Sequence, residues 1–440
     1  MKKRRVLFVS LGCPKNQVDG ELMLAKLQNA GFENADNFER LDAVIVNTCA
    51  FIDSAKQEAI DTILEMVGLK KDGLVRAVIV TGCLAERYRD EILQEIPEVD
   101  AVVGIGANGD IDKIVDEVLD GKQTNVFPDK KELPMCGERV LTTPDYWAIA
   151  EGCSNCCTYC AIPSIRGPFR SRDEESIVEE AKTLANGGVK ELVLIAQDVS
   201  SYGIDIYCEY RLAHLLDLLC EIDGIEWIRL LYCYPDKITD ELIDTMASQP
   251  KVLHYIDLPL QHADDKILKA MNRHSTAEET REVIRKLRER MPDIAIRTTF
   301  IVGFPGEGGD EFETLAEFIN EEEFERLGCF EYSPQEGTPA AKMENQVDDD
   351  VKSRRAEVIM QDQYEIMTEK NNNMIGKTLR VLTESYDDYT DSYSGRSYMD
   401  APDIDGKIIF TSPDFIKEGE FVDVEILGVN EYDLLGRTVK

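Results

Sequence analysis

Residues 77–83 read AVIVTGC: four apolar side chains, then a turn and a cysteine. A near copy, AVIVNTC, stands at 43–49, and VLFVSLGC at 6–13 has the same form. Continuous Val/Ile runs without polar alternation predict strands buried on both faces, as in a parallel sheet. Amphipathic segments at 21–30, 56–67 and 86–95 alternate with these strands, and 101–105 is a further short strand. Residues 1–125 are therefore expected to form an α/β domain with a parallel sheet. Such sheets bind ligands beyond the carboxyl ends of their strands. Neighbouring strands lie ~5 Å apart, so Cys13, Cys49 and Cys83 could meet although 35 and 33 residues separate them. One buried cysteine is ordinary packing. Three at one topological position predict a shared metal or cluster site.

The chain has 440 residues, which calls for two or three domains, and 43% of them are hydrophobic, enough for real cores. Its formal charge of −36 argues against holding nucleic acid by bulk electrostatics and favours a basic partner. Twelve cysteines in a long chain read as metal or redox chemistry in a reducing, cytoplasmic setting rather than as a disulfide framework. The apolar run 6–11 is too short for an export signal, and no run approaches the ~20 residues that span a bilayer, so no membrane association is expected.

Residues 126–145, with Pro128, Pro134 and Pro144, read as a linker. From 146 to 370 apolar strands alternate with helices: ELVLIAQD (191–198), WIRLLYCYP (227–235), HYIDLPL (254–260), IAIRTTFIVGFPG (294–306) and RLGCFEYSP (326–334). This is the pattern of a complete or partial βα barrel, with functional loops at the strand carboxyl ends. The charged segment 348–373 is expected to be helical. Residues 371–440 turn to short alternating strands, KTLRVLTE, GKIIF and FVDVEILGV, and predict a small antiparallel β-barrel. It is acidic, with seven Lys and Arg against fourteen Asp and Glu over 376–440.

The most specific signal is EGCSNCCTYCAIP (151–163), in which Cys153, Cys157 and Cys160 fit C-x3-C-x2-C and Cys156 is an extra thiol in the first gap. Three thiolates on one tight loop can hold three irons of a 4Fe–4S cube and leave the fourth open. Zinc is the competing ion, but its sites usually pair two separated knuckles, and no second knuckle follows.

This motif, with Tyr159 before its last cysteine and at the start of a βα barrel, resembles the radical-SAM superfamily. The likeness implies that the open iron binds S-adenosylmethionine and that one electron cleaves it to a radical able to take hydrogen from an unactivated carbon. With three cysteines on the amino-terminal sheet and a terminal β-barrel, the whole chain resembles the methylthiotransferases. That resemblance implies a TRAM barrel and a second 4Fe–4S cluster on Cys13, Cys49 and Cys83, whose open iron carries the sulfur or methylthio group.

SLGCPKNQVDGE (10–21), RGPFRSR (166–172), AQDVSSYG (196–203), DLPLQHADDKILKAMNR (257–273) and GRSYMDAPDIDG (395–406) resemble the RimO-like branch. That branch modifies the aspartate β-carbon of the ribosomal small-subunit protein numbered twelve, whether free or on the ribosome. The alternative is the MiaB-like branch, which modifies adenosine in tRNA. The acidic terminal barrel fits a basic protein better than RNA, so tRNA is disfavoured. The family also implies an electron donor such as flavodoxin or ferredoxin. Beyond the cluster ligands no catalytic side chain is expected. Tyr159, Gln197, Asp198, Gln261, His262, Thr299 and Gly303 are candidate S-adenosylmethionine contacts, with helix capping the competing role for Asp198. His214 and His274 read as structural, and Cys208, Cys220, Cys233 and Cys329 as packing residues. Cys136 has no assigned role.

Overall fold

The computed structural model describes residues 4–142 and 146–439, so Pro144 of the expected linker lies outside the described residues. The chain divides into two compact units. The first comprises Met1–Glu180, Ile195–Gln197 and Gln335–Thr338; the second is Ala181–Leu194, Asp198–Pro334 and Pro339–Lys440.

The apolar runs of the first unit form a six-stranded sheet in the order Glu33–Asn34, Arg5–Ser10, Leu41–Thr48, Val75–Gly82, Ala101–Val103, Thr124–Val126. Every pairing is parallel. The sequence repeat becomes a spatial one: Ala43 pairs with Ala77, Val46 with Val80 and Thr48 with Gly82. Cys49 and Cys83 therefore leave adjacent strands at the same height. The helices Pro14–Asn29 and Ile111–Leu119 bury Met23, Leu27, Ile114 and Val115 on one face. The helix Asp53–Lys71 and the two short ones after Cys83 bury Ala59, Ile63, Leu84 and Ile92 on the other. The chain thus changes faces between the first strand and Leu41–Thr48, which opens a crevice at their carboxyl ends.

The edge strands Glu33–Asn34 and Thr124–Val126 were not expected; at two and three residues they are too short to carry a period. The linker is bound down rather than loose. Arg139 pairs with the buried Glu21 at 2.6 Å, and the Thr142 N–H donates to the same carboxylate at 2.7 Å.

In the second unit five parallel strands, Glu191–Ile195, Trp227–Leu230, Val252–Gln261, Ala295–Val302 and Arg326–Glu331, lie side by side in chain order in an open sheet. This is the partial form of the expected barrel. The helix Asp349–Asn372 follows, with Ile359 and Met367 buried. Residues 378–438 close a five-stranded barrel. Four of its pairings are antiparallel, but Ile408–Thr411 runs parallel to Asp433–Thr438. A closed ring with an odd number of strands cannot alternate direction all the way round, so one parallel pair is forced.

Among the described residues no helix is long and apolar enough to cross a membrane.

Candidate iron–sulfur centre

Each of the three strand-end cysteines is placed by its neighbour. Gly12 has φ +90°, and a Cβ on it would lie 2.5 Å from Cys49 Cβ and 2.8 Å from Cys49 Sγ. Only glycine lets the turn before Cys13 come this close to Cys49. Gly82, also at φ +90°, would drive a Cβ to 2.4 Å from the Thr48 carbonyl oxygen. Cys13 then caps the helix Pro14–Asn29, whose proline presets the first turn. Below the thiols a polar layer holds the strand ends together. Thr48 Oγ1 donates to the Thr81 carbonyl at 2.5 Å, and Asn47 Nδ2 donates to the Asn16 carbonyl at 2.8 Å.

Cys49 and Cys83 are buried and Cys13 is exposed, and none of the three is in a disulfide. Burial is the main influence on Cys83 and pushes its thiol up to about 12, with Arg166 opposing and the Cys13 and Cys49 charges adding to the rise. Burial, then the Cys13 charge, also raises Cys49. Cys49 and Cys83, two neighbouring thiols that resist ionisation, need a cationic centre to hold them as thiolates. Among the described residues no three His, Cys, Asp or Glu side chains close around a single metal ion. A cube binds each thiolate on a different iron, so it asks for a wider spread of donors than one ion does. The donor set fits a cluster.

The cysteine loop belongs to the same unit. Gly152 at φ +73° brings its backbone against Pro168, where a Cβ would lie 2.3 Å from the carbonyl oxygen. The Cys153 N–H donates to the Gly167 carbonyl at 3.1 Å, and the Cys160 N–H to the Cys157 carbonyl at 3.1 Å. Asn155 Nδ2 lies 3.4 Å from Cys153 Sγ as a donor. Cys153 and Cys157 are buried, Cys160 is half-buried and Cys156 is exposed. Cys156 has φ +52°, a left-handed backbone that costs a non-glycine residue roughly 1 kcal/mol. The outward Cys156 is therefore expected to be dispensable. Cys156→Gly should keep the full iron load after anaerobic reconstitution, and a drop in iron per chain would make Cys156 a ligand.

The two cysteine groups share a feature the motif alone did not disclose. Ala161 and Ile165, which follow Cys160, pack in the same core as Cys83, Leu84 and Ala85. Arg166, at the end of the helix Ile162–Arg166, is buried and reaches Asp19 at 2.7 Å, Glu151 at 3.1 Å and Cys83 Sγ at 3.6 Å. Burial works against the Glu151 charge, but Lys15 and Arg166 outweigh it and hold the carboxyl down at about 2. The charged letters of CPKNQVDGE and RGPFRSR were visible, but their burial was not.

The candidate S-adenosylmethionine contacts fall in both units. Tyr159 and the half-buried Gln197 belong to the first. In the second, Gln261 ends its strand in a left-handed conformation at φ +74°, and His262 follows, buried. His262 Nδ1 accepts the Asp264 N–H at 3.0 Å, and its Nε2 lies 3.3 Å from Glu307 Oε2. Glu307 also accepts the Gly303 N–H at 2.9 Å and pairs with Arg355 at 2.7 Å, which links two adjacent strand ends. Gly303 is glycine because Lys352 lies over it: a Cβ would meet Lys352 Cγ at 2.2 Å. Thr299 lies inside its strand, with Oγ1 3.4 Å from Arg297 Nη1. Asp198 accepts from both Ser200 Oγ and Ser201 Oγ at 2.7 Å, caps the turn Val199–Ser201 and pairs with Lys237. Cys208, expected to pack, is exposed in a left-handed turn at φ +62°. The segment around it has no period from which a buried face could be read.

Residues 147–319 match the radical SAM superfamily, 375–439 the TRAM domain and 5–104 the uncharacterized protein family UPF0004. A radical S-adenosylmethionine methyltransferase, TsrM from Kitasatospora setae, solved with cobalamin and a [4Fe-4S] cluster, shares the fold (TM-score 0.60, 16% identity, 77% of each chain covered). The class is thus a radical-SAM enzyme with a terminal TRAM barrel. The ribosomal protein uS12 methylthiotransferase RimO of Lachnoclostridium phytofermentans is 49% identical, over 98% of this chain and 99% of its own length. That of Clostridioides difficile is 47% identical over 98% of both. The chain belongs to the RimO family of methylthiotransferases.

Proposed function

We propose that this chain attaches a methylthio group to the β-carbon of an aspartate in ribosomal protein uS12, with Cys153, Cys157 and Cys160 holding one 4Fe–4S cluster and Cys13, Cys49 and Cys83 a second. The observation that carries this reading is the placement of three free thiols at neighbouring strand ends, tied through one buried arginine to the cysteine loop. With three protein thiols per cube, each cluster keeps an iron for a non-protein ligand. When bound, the clusters and S-adenosylmethionine supply the radical and the sulfur.

The protein's own part is to position and to dry. Gly12, Gly82 and Gly152 bring the cysteine-bearing turns to within contact of backbone or thiol. Gln261, His262 and Gly303 sit at adjacent strand ends, where an adenosine or methionine group could lie against backbone. Asp198 is committed to Ser200, Ser201 and Lys237, so its part is to shape the loop after its strand. The acidic terminal barrel suits a basic protein substrate, free or ribosome-bound. Electrons would come from a small cytoplasmic carrier such as a flavodoxin or ferredoxin.

Deletion of the gene should remove the methylthio mass from uS12 and leave 2-methylthio nucleosides of tRNA unchanged. The reverse result would assign the chain to tRNA.

A further inference from the structure

Between the strand ends and the cysteine loop lies a buried quartet of charges. Lys15 Nζ stands 2.9 Å from Asp19 and 2.5 Å from Glu151, while Arg166 Nη1 stands 2.7 Å from Asp19 and 3.1 Å from Glu151. All four residues are 5% exposed or less. Two cations and two anions balance, so the quartet is neutral without any thiolate. The second arm of the guanidinium is not used up in this balance. Arg166 Nη2 has only long contacts, to Asn16 Oδ1 at 3.4 Å and to Cys83 Sγ at 3.6 Å. Asn16 is itself fixed, its Nδ2 donating to the Leu11 carbonyl at 2.7 Å. A lysine could neutralise the carboxylates, but only a planar fork can grip them with one nitrogen and offer the other to sulfur.

We propose that Arg166 is a positioning residue for the strand-end cluster: it donates from Nη2 to the Cys83 thiolate and so raises that cluster's reduction potential. This rests on the reading of Cys13, Cys49 and Cys83 as cluster ligands. A donor and a positive charge at a ligand sulfur favour the reduced, more negative state. The anchor on Asp19 and Glu151 keeps the donor in place. Because Arg166 lies six residues after Cys160, the same side chain couples the two cysteine groups.

The test uses the full chain with Cys153, Cys157 and Cys160 changed to alanine, so that only the strand-end site can load. It is reconstituted anaerobically with iron and sulfide, its iron counted, and its midpoint measured by EPR-monitored titration with dithionite. The parent should hold about four irons. Arg166→Gln should load the same iron but favour the oxidised form about tenfold more, a fall of 59 mV for one electron. Arg166→Lys, which keeps the charge but loses the fork, should fall by less. Equal midpoints in parent and Arg166→Gln would overturn the inference and leave the ligand assignment standing. A parent without iron would overturn both. If Arg166→Gln does not load, Arg166→Lys decides, and an unchanged midpoint there refutes the role. Loss of iron from both variants would make Arg166 a structural element only.

Discussion

Alanine at Cys13, Cys49 and Cys83 together should halve the iron of the reconstituted enzyme, from about eight to about four per chain. Methylthiolated uS12 should fall on the order of 1,000-fold, while reductive cleavage of S-adenosylmethionine continues. The loop site would be untouched, because its backbone is organised by Gly152, Gly167 and Pro168 rather than by the sheet thiols. The fold should survive as well: Cys13 is exposed, and at the buried Cys49 and Cys83 alanine removes only one sulfur atom each. The complementary variant, alanine at Cys153, Cys157 and Cys160, should also retain about four irons but lose both cleavage and product. Iron counting with a parallel assay for 5′-deoxyadenosine separates the two. An unchanged iron content in the sheet variant would remove the second cluster from the account.

The second large effect is expected at Glu191, where the terminal barrel meets the βα sheet of the second unit. Glu191 is fully buried and pairs with Arg229 at 2.7 Å and Arg396 at 2.6 Å. Arg229 goes on to the Tyr398 and Ser397 carbonyls at 2.7 and 3.1 Å. Beside it Arg326 pairs with Asp400 at 2.7 Å, and the Tyr255 hydroxyl donates to Asp405 at 2.7 Å. The stretch GRSYMDAPDIDG is thus the seam by which the barrel is fastened. Glu191→Ala leaves the buried Arg229 without its carboxylate and Arg396 with Glu384 alone, and should cost about 3–5 kcal/mol. Trp227 reports on the seam, because its ring meets Phe421 of the barrel edge-on at 4.7 Å between centroids. Its emission should shift, and the urea midpoint fall, in Glu191→Ala; unchanged emission and midpoint would show that the seam contributes nothing.

The same carboxylate gives the seam a pH dependence. Burial alone would raise the Glu191 carboxyl, but Arg229 and Arg396 outweigh it and hold it below the ordinary range. A carboxyl lowered on folding adds stability above its unfolded value of about 4.3, and that stability is lost as pH falls through the folded value. Glu191→Gln should flatten this acid limb.

The elements were legible in the sequence because they are local. Unbroken Val/Ile runs, turn residues and a C-x3-C-x2-C spacing act over a few residues, and they determined the parallel sheet, the cysteine loop and the terminal barrel. The in-register repeat even placed Cys49 beside Cys83. What the sequence left undecided is which charges are buried. Arg166 meets Asp19 across 147 residues, and Arg396 meets Glu191 across 205. Nothing near Arg166 or Glu191 in the chain distinguishes them from the solvated charges that make up most of its −36. A charged side chain stays in the interior only where a partner of opposite sign arrives from elsewhere in the fold, so tertiary structure alone decides it.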